Sequence, residues 1–467
     1  MLIGDFYYRL PTTLPQLSAT SLYFVAFCFG VFCLARPFRS ILRPLILLVA
    51  NFVFVLSFSA KSLYWLLFFS LTSYVLALLM EHWHKVWLFW GGVLFYALTL
   101  FIFKFDLTFV GNWLMPLGLS FYSFKIIAYL VDVYKRKLKA ERNLLYYLDF
   151  IMFFPCITAG PINRADSFLK ELRRHEEFDY SDIGVGFFML ACGLFEKVVV
   201  CDFIKSVELR TLGNAELTGL NVLLGVFLYS LDIYLDFDAY SNIAIGVARM
   251  LGFHFKKNFN VPYLAVSIKD FWNRWHISLS SWLRNYIYFP LGGSRKGEVR
   301  KYLNILAVFL VSSLWHGLTL NFLIWGMGHA LIRIVEELLG GLFKNKRYLW
   351  PAGVVLNFCL VSFLWIFFRY SNFNEAWSVI GRILTGGRFD YEAIGLTVNE
   401  LKWLMVLVVG TFLLDLLRYF VDIYEVIGRG FFGFRWVLYV LMIMIFLIFG
   451  VYGGGAFEAG DFIYRWF

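Results

Sequence analysis

Charged residues are scarce in this sequence, because Asp, Glu, Lys and Arg together make up only 16% of its 467 residues. A typical soluble globular domain carries about 25% charged residues, so the scarcity excludes that class. Apolar residues instead make up 60% of the chain and aromatic residues 21%, and the mean hydropathy is +0.70. A composition this apolar indicates a protein that lies in a lipid bilayer.

The sequence also lacks the patterns of several common kinds of site. Its six cysteines show no Cys-x-x-Cys spacing and fall mostly within or beside apolar runs, so we interpret them as small buried hydrophobic residues and expect no metal site. No His-Glu-x-x-His, Gly-x-Ser-x-Gly or Walker motif occurs, which disfavours a metalloprotease, a serine nucleophile and a nucleotide-binding loop. No internal repeat, low-complexity tract or long linker divides the chain. We therefore predict a single domain over residues 1–467.

Long apolar stretches recur along the whole chain. A helix needs roughly 20 apolar residues to cross the hydrocarbon core, and about ten to thirteen stretches approach that length. We predict an all-α polytopic membrane protein with about 11 transmembrane helices, some of them tilted, buried or re-entrant. The first stretch lacks a basic leader and is expected to be retained rather than cleaved. The main candidates are 21–35, 41–58, 62–80, 86–103, 183–200, 221–235, 302–314, 321–335, 354–368, 401–417 and 436–452.

The formal net charge of +10 would suit nucleic-acid binding in a soluble protein, but here the basic residues are concentrated in short loops. Arg36, Arg39 and Arg43 follow the first apolar stretch, whereas the connections at 59–61 and 106–112 are poor in Lys and Arg. This alternation predicts that the basic loops are cytoplasmic and that the N-terminus lies outside. We therefore expect membrane lipid as a partner and no nucleic acid.

The segment 256–301 differs from the rest, because it mixes basic, acidic and aromatic residues and is too polar to cross lipid while exposed to it. Such a composition is typical of the interface, or of re-entrant structure that is buried against protein. We predict re-entrant or interfacial helices here. The sequence LGGSRKG at 291–297 is predicted to form a turn with basic flanks.

Two histidines stand out in apolar surroundings. His316 directly follows the apolar run 305–315, and His276 lies 40 positions earlier. An ionisable side chain at membrane depth is energetically costly and is by default a candidate for function. Burial disfavours an imidazolium, so His316 is expected to be neutral and able to accept a proton near pH 7. The alternative is a histidine that only packs helices together.

Several motifs occur in a fixed order between Pro116 and His316. They are PLGLSFY at 116–122, YLVDVY at 129–134, FPCITAGP at 154–161, NFNVPY at 258–263, DFWNRWHISLSSWLRNYIY at 270–288 and LWHG at 314–317. In these motifs the chain resembles the membrane-bound O-acyltransferase family, and within it the bacterial alginate and peptidoglycan O-acetyltransferases. The signature core would extend over about 116–330.

The resemblance implies a fold that encloses a central tunnel and an enzyme that transfers an acyl group to a hydroxyl. A cytoplasmic thioester, expected to be acetyl-CoA, would supply the acyl group, and no cofactor would be bound permanently. The acceptor would be an exported cell-envelope polysaccharide, and an extracytoplasmic esterase-like transferase is the implied partner. The implied location is the bacterial cytoplasmic membrane.

The resemblance also assigns roles to individual residues. His316 is the expected general base, and His276 would orient the donor thioester or, alternatively, hold a re-entrant helix. Arg274, Arg284, Arg295 and Lys296 would bind donor phosphates, unless they serve only as interfacial anchors. The expected tunnel-lining residues are Trp275, Ser278, Trp315, Asp236, Tyr240 and Asn321, with a structural role as the alternative for Asp236. No metal is expected.

The chain departs from the family pattern at a few positions, and these leave the acceptor open. Asp238 and Ala239 stand where many relatives have Ser-Gly, Asn242 replaces a frequent Asp, and the ending at 462–467 also differs. One alternative is D-alanyl transfer from a carrier protein to teichoic acid. Another is a transporter with a histidine proton relay, although the absence of inverted repeats weighs against it.

Overall fold

The computed structural model describes residues 17–35, 42–105, 115–174, 179–340 and 350–449. Within these ranges the chain is helical and contains no β-strand, which confirms the all-α prediction. We number the α-helices in chain order. They are α1 (Leu22–Ala35), α2 (Leu42–Phe58), α3 (Ala60–Trp83), α4 (Val86–Lys104), α5 (Leu119–Tyr134), α6 (Leu144–Met152), α7 (Ala165–Leu172), α8 (Tyr180–Phe195), α9 (Asp202–Gly213), α10 (Gly219–Met250), α11 (Ile268–Arg274), α12 (Ile277–Leu283), α13 (Glu298–His316), α14 (Leu320–Leu338), α15 (Trp350–Arg369), α16 (Phe373–Leu384), α17 (Val398–Phe420), α18 (Ile423–Gly428) and α19 (Phe432–Phe449).

Six helices of the described residues are long and apolar enough to cross a membrane, so this is a multi-pass membrane protein. They are Ala60–Trp83, Val86–Lys104, Tyr180–Gly213, Gly219–Met250, Trp350–Arg369 and Val398–Phe420. Four shorter apolar helices lie near Tyr23–Ala35, Leu42–Phe58, Leu144–Cys156 and Phe432–Ile445. The total of about 11 spans stays a prediction, because α13 and α14 are not among the six.

Several loops follow the sequence-based expectations. The mixed segment after residue 256 forms the short helices α11 and α12 and a π-helical turn at Arg284–Tyr288, in place of one long helix. Turns occupy 291–296, as predicted for the glycine-rich basic sequence. Arg36, Arg39, His175, the connection 106–112 and the ending 462–467 lie outside the described residues.

The chain divides into two compact units, and each is described by itself. The first consists of Met1–Gly186 and Ala244–Phe255. In its core, Asn51 donates to Asp149 Oδ1 at 3.1 Å and accepts from the Phe154 backbone N–H at 2.8 Å, so one amide joins α2 to α6 and to the FPCITAGP motif. The prediction of one domain over 1–467 stays a prediction.

The second unit consists of Phe187–Ile243 and Lys256–Phe467 and contains every predicted site residue. A three-residue connection joins α13 to α14, which makes them neighbours in the fold. Gly326 allows their close approach, because a Cβ at that position would overlap Ser313 Oγ. At the start of α14, Asn321 donates to the Tyr370 carbonyl at 2.6 Å, which ties this helix to the end of α15.

A buried ion pair connects α10 to the π-helical turn between α8 and α9. Lys197 Nζ lies 2.6 Å from Asp236 Oδ1 and 2.9 Å from Asp202 Oδ1. The side chains of Lys197 and Asp236 are each 1% exposed, so neither charge is solvated. A carboxylate and an ammonium group buried this deeply stabilise the fold only as a pair. Asp236 therefore has a structural partner, while its predicted place in a tunnel lining stays a prediction.

A second buried network contains one of the departures from the family pattern. Arg418 Nη1 of α17 lies 3.1 Å from Asp238 Oδ2 of α10, and its other nitrogen lies 3.8 Å from Glu196 Oε2. The same guanidinium donates to Tyr424 Oη at 2.6 Å. Asp238 thus binds a cation from a helix about 180 residues away in the chain, where Ser could accept only a weaker, uncharged hydrogen bond.

We predict that Lys197→Met destabilises the protein by about 3–5 kcal/mol, because it leaves Asp236 and Asp202 buried without a cation. Thermal unfolding followed by size-exclusion chromatography in detergent measures the change. Lys402→Met, on the exposed side of α17, is the matched control and is expected to have little effect. Equal melting temperatures for the two variants would contradict the structural role of Lys197.

Candidate active site around His316

His316 is the last residue of α13 and is 6% exposed. Aromatic rings surround its imidazole: the ring centroids of Trp315, Phe368, Trp325 and Phe322 lie 4.4, 4.9, 5.0 and 6.0 Å away. Trp315, a predicted site residue, is therefore in direct contact with His316. An imidazole in such an apolar enclosure is better suited to accept a proton than to hold a permanent charge.

Gly317 ends α13 and allows the imidazole to be enclosed. A Cβ at this position would lie 2.5 and 2.6 Å from two ring carbons of Phe322. Phe322 in turn packs edge-on against Phe368, with centroids 5.3 Å apart. Absence of a side chain at residue 317 therefore lets the first turn of α14 close over the histidine.

Three polar side chains follow one another along α14 at intervals of four residues, which places them near one face of the helix. They are Asn321, Trp325 and His329, and their exposed fractions are 0%, 1% and 0%. Trp325 contacts both histidines, with centroid distances of 5.0 Å to His316 and 5.4 Å to His329. We call this set the α14 stripe.

His276 is buried in surroundings of its own, apart from the rings that enclose His316. Its Nδ1 lies 3.1 Å from Asn258 Oδ1, and the same oxygen accepts from the Ser278 backbone N–H at 3.2 Å and from its hydroxyl at 2.9 Å. A backbone N–H can only donate, so the atom that it faces must be the amide oxygen of Asn258. Nδ1 of His276 must therefore carry the proton, and Nε2 carries the lone pair.

The backbone at His276 is unusual, because its φ of 40° lies in the left-handed region. This conformation costs a non-glycine residue roughly 1–2 kcal/mol, and it persists where surrounding contacts impose it. Asn258 supplies such contacts, since its carbonyl accepts from the Ile277 N–H at 2.8 Å and its amide donates to Ser241 Oγ at 3.2 Å. Burial lowers the pKa of His276 to about 3, so its ring is neutral at physiological pH.

The surroundings of the two histidines are connected through packed aromatic side chains. Trp275, next to His276 in the chain, lies 5.1 Å from Trp365, and Trp365 lies 5.8 Å from Trp325. Trp275 is thus a core residue of the aromatic cluster that connects the surroundings of His276 with those of His316. Tyr240 is buried on α10, and Asn321 and Ser278 are held by the hydrogen bonds described above.

The four predicted phosphate-binding cations fall into two groups. Arg274 is engaged within the protein: its Nε lies 2.9 Å from Asp270 Oδ1, and its guanidinium lies 5.2 Å from the ring centroid of Tyr419. Arg284, Arg295 and Lys296 are exposed, and within the described ranges no carboxylate lies within 4.0 Å of them. Arg284, Arg295 and Lys296 are therefore available to an anion from solution.

The turn that carries Arg295 and Lys296 is built by specific contacts. Gly292, Gly293 and Gly297 have φ values of 107°, 57° and 88°, which a side chain would disfavour. From the first turns of α13, Asn304 Nδ2 donates to the Gly293 carbonyl at 2.8 Å. The two cations are thus presented by a preformed turn.

Sequence reasoning did not assign site roles to Asn258, Trp325 or His329. Asn258 was part of a quoted motif, but its partner His276 lies 18 residues later, and no local pattern connects them. The four-residue spacing of the α14 stripe was a usable signal, because polar side chains recurring on one face of an apolar helix are costly without a purpose. The structure brings His316 and His329 into contact with one indole.

Comparison with known proteins agrees with the motif pattern. The profile described as MBOAT, membrane-bound O-acyltransferase family, matches residues 47–373. A probable alginate O-acetylase AlgI of Pseudomonas putida is 36% identical, over 63% of this chain and 60% of the relative. A peptidoglycan O-acetyltransferase of Helicobacter pylori is 32% identical, over 57% of this chain and 56% of the relative.

A third relative has a different stated reaction. A teichoic acid D-alanyltransferase of Bacillus subtilis is 29% identical, over 56% of this chain and 71% of the relative. The alignments with the alginate and peptidoglycan relatives each span less than two thirds of those proteins' lengths. The relatives thus share a region of similar sequence with this chain, and their names differ in the transferred group or in the acceptor.

We predict that Gly317→Ala destabilises the protein by about 1–3 kcal/mol, because the added methyl group forces the Phe322 ring away from His316. Gly410→Ala on α17 is the matched control, since a Cβ there meets nothing within 4 Å. Thermal unfolding in detergent compares the two. A melting temperature for Gly317→Ala at or above that of Gly410→Ala would show that Phe322 does not depend on the glycine.

Proposed function

Because the chain belongs to the membrane-bound O-acyltransferase family, we propose that it transfers an acyl group, expected to be acetyl, from a cytoplasmic thioester to a hydroxyl of an exported cell-envelope polysaccharide. The observation that carries this proposal is the buried imidazole of His316, placed by α13 among four aromatic rings within the matched region. The names of the alginate and peptidoglycan relatives support acetyl transfer to a polysaccharide.

In the proposed reaction His316 is the general base. Its neutral imidazole accepts the proton of the acceptor hydroxyl while the hydroxyl oxygen attacks the thioester carbonyl carbon. The carbon–sulfur bond then breaks, and the sulfur leaves with the bonding electron pair and takes the proton from the imidazolium. No covalent acyl-enzyme is needed, and the aromatic enclosure excludes the water that would otherwise hydrolyse the donor.

His276 is proposed to orient the donor through Nε2, the nitrogen that carries the lone pair. The hydrogen bond from Nδ1 to Asn258 holds the ring in one tautomer and one orientation. The left-handed backbone at His276 supports a functional role, since such strain is retained where the surrounding structure over-determines it. Asn258 acts through His276 and is a positioning residue.

The donor is proposed to be acetyl-CoA, with its phosphates bound by Arg284, Arg295 and Lys296. Exposure, absence of carboxylate partners in the described ranges and the preformed turn support this assignment. Planar guanidinium groups match phosphate oxygens well. The proposal places these residues at the cytoplasmic face of a bacterial cytoplasmic membrane, at the entrance of a tunnel that leads to His316, with an esterase-like partner and the acceptor on the opposite face.

D-alanyl transfer from a carrier protein to teichoic acid is the second candidate, and the Bacillus subtilis relative favours it. The two candidates differ in the donor, while the proposed role of His316 is the same. Tight binding of an acyl carrier protein together with no turnover of acetyl-CoA would select the second candidate. Turnover of acetyl-CoA without any carrier protein would select the first.

We predict that His316→Ala lowers acyl transfer by about 10²–10⁴-fold, because the general base is lost. Transfer of radiolabelled acetyl groups from acetyl-CoA to alginate or peptidoglycan fragments, in proteoliposomes, is the measurement. His82→Ala changes an exposed histidine and should retain full activity. An active His316→Ala protein with an unchanged elution profile would remove His316 from the mechanism.

We predict that Asn258→Ala and His276→Ala lower the transfer rate to a similar degree, about tenfold or more, because each removes the hydrogen bond that orients the His276 ring. Their double variant should be no worse than His276→Ala alone, since both changes act on one ring. Asn273→Ala, on the exposed side of α11, is the control. Additive losses in the double variant would mean that Asn258 acts independently of His276.

We predict that the double variant Arg295→Ala/Lys296→Ala raises the KM for acetyl-CoA about tenfold and leaves kcat nearly unchanged, because phosphate binding far from the carbonyl affects ground state and transition state equally. Arg388→Ala, also exposed, is the control. The wild-type KM should rise with salt, and that of the double variant should rise less. An unchanged KM would place the donor phosphates elsewhere.

A further inference from the structure

Several buried polar atoms on the α14 stripe and on the neighbouring Trp272 lack a hydrogen-bond partner in the described part of the chain. Within the described residues, no hydrogen-bond partner is present for Asn321 Oδ1, Trp325 Nε1, either ring nitrogen of His329, or Trp272 Nε1 of α11. All five atoms are buried, and Trp272 and Trp325 each pack edge-on against His329, at 5.1 and 5.4 Å. A buried polar atom without a partner costs about 1–3 kcal/mol, so such a group of atoms in one place requires an explanation.

One neighbouring indole, that of Trp365, does not share this property. Trp365 is 0% exposed and stacks on Trp325 at 5.8 Å, yet its Nε1 donates to Tyr263 Oη at 3.1 Å. Tyr263 in turn donates to the Ser230 carbonyl at 2.5 Å. An indole N–H of this cluster can thus be satisfied within the protein. The Nε1–H of Trp325, which contacts His316, has no such partner among the described residues.

Trp325 is in the right place to act on an acyl group that reaches His316. Its ring lies 5.0 Å from the imidazole and is inclined at 86° to it, so a group held beside the base also lies beside the indole. An indole Nε1–H can only donate a hydrogen bond. Its natural partner is therefore an acceptor such as a carbonyl oxygen, and most of all one on which negative charge develops.

We propose that Trp325 is a further catalytic residue, whose Nε1–H donates a hydrogen bond to the thioester carbonyl oxygen during acyl transfer. This inference rests on the proposed function and deepens it. As the acceptor oxygen bonds to the carbonyl carbon, the π electron pair moves to the carbonyl oxygen, and the indole N–H stabilises that oxyanion. When the carbonyl re-forms, the carbon–sulfur bond breaks, and the sulfur takes the proton from the His316 imidazolium.

The burial and rigidity of the Trp325 indole suit it to this role. A fully buried N–H on a rigid ring is fixed in place before the substrate arrives, so little reorganisation accompanies the reaction. His329 packs edge-on against the same indole at 80° and helps to hold it in place. Phe368 packs against the indole with its centroid 5.1 Å away and helps to exclude water.

The test compares Trp325→Phe with Trp365→Phe. Both changes remove an indole from the same buried cluster, but only the first removes an N–H without an internal partner. We expect Trp325→Phe to lower kcat for acetyl transfer from acetyl-CoA by about 10²–10³-fold, with the dissociation constant of acetyl-CoA nearly unchanged. Trp365→Phe should retain kcat within a few-fold. Equal losses of kcat in the two variants would overturn the proposal.

A second pair of measurements covers the case in which Trp325→Phe does not fold. Replacement of Trp325 by 3-benzothienylalanine keeps the ring shape and exchanges N–H for sulfur, and it should give the same loss of kcat. In the His316→Ala background, bound acetyl-CoA labelled with ¹³C at the carbonyl should show a lower carbonyl stretching frequency than free acetyl-CoA, and the benzothienyl variant should abolish that shift.

The outcomes separate this inference from the proposed function. A wild-type protein that transfers no acetyl group would overturn the proposed acetyl transfer, and the role of Trp325 with it. An active wild type with full kcat in the benzothienyl variant, or with an unshifted carbonyl frequency, would overturn only the role of Trp325. Loss of kcat together with loss of the frequency shift supports both.

Discussion

The structure depends on one constraint: a polar group buried in a membrane protein must find its partner inside the protein, because no water is available in the hydrocarbon core. In the second unit this constraint explains most of the buried polar contacts. Lys197 is paired with Asp236 and Asp202, Arg418 with Asp238, and His276 with Asn258. The Nε1–H of Trp325, which contacts His316, is one of the buried polar groups that lack a partner among the described residues. In the proposed reaction the substrate supplies that partner.

The two histidines are held in different ways, and the difference matches the roles proposed for them. Hydrogen bonds and a strained backbone fix the orientation of His276, which suits a group that positions a donor. Aromatic packing surrounds His316 at the end of α13, which suits a base whose protonation must change during the reaction. Gly317 has no Cβ, and this lets Phe322 of α14 pack over the His316 ring.

The departures from the family pattern at 238–242 also have a structural reason. Asp238 is a partner of Arg418 on α17, so a carboxylate at this position is tied to a cation far away in the chain. Ala239 faces α8 closely: its carbonyl lies 2.6 Å from the position that a Cβ on Gly193 would occupy. Asp238 and Ala239 connect helices, whereas Trp325 is in direct contact with His316. They therefore leave the proposed chemistry unaffected.

Composition and motif order alone determined that this is an all-helical membrane protein of the O-acyltransferase family, and they singled out His316, His276 and the exposed basic turn. Those features are local, because the length of an apolar stretch, an ionisable residue within it and a short motif can each be recognised within one segment. Only the tertiary structure decided that Asn258 orients His276, that Lys197 neutralises Asp236, and that one indole contacts both His316 and His329. Each of these depends on which helices pack together, and a periodic pattern within one segment carries no information about its neighbour.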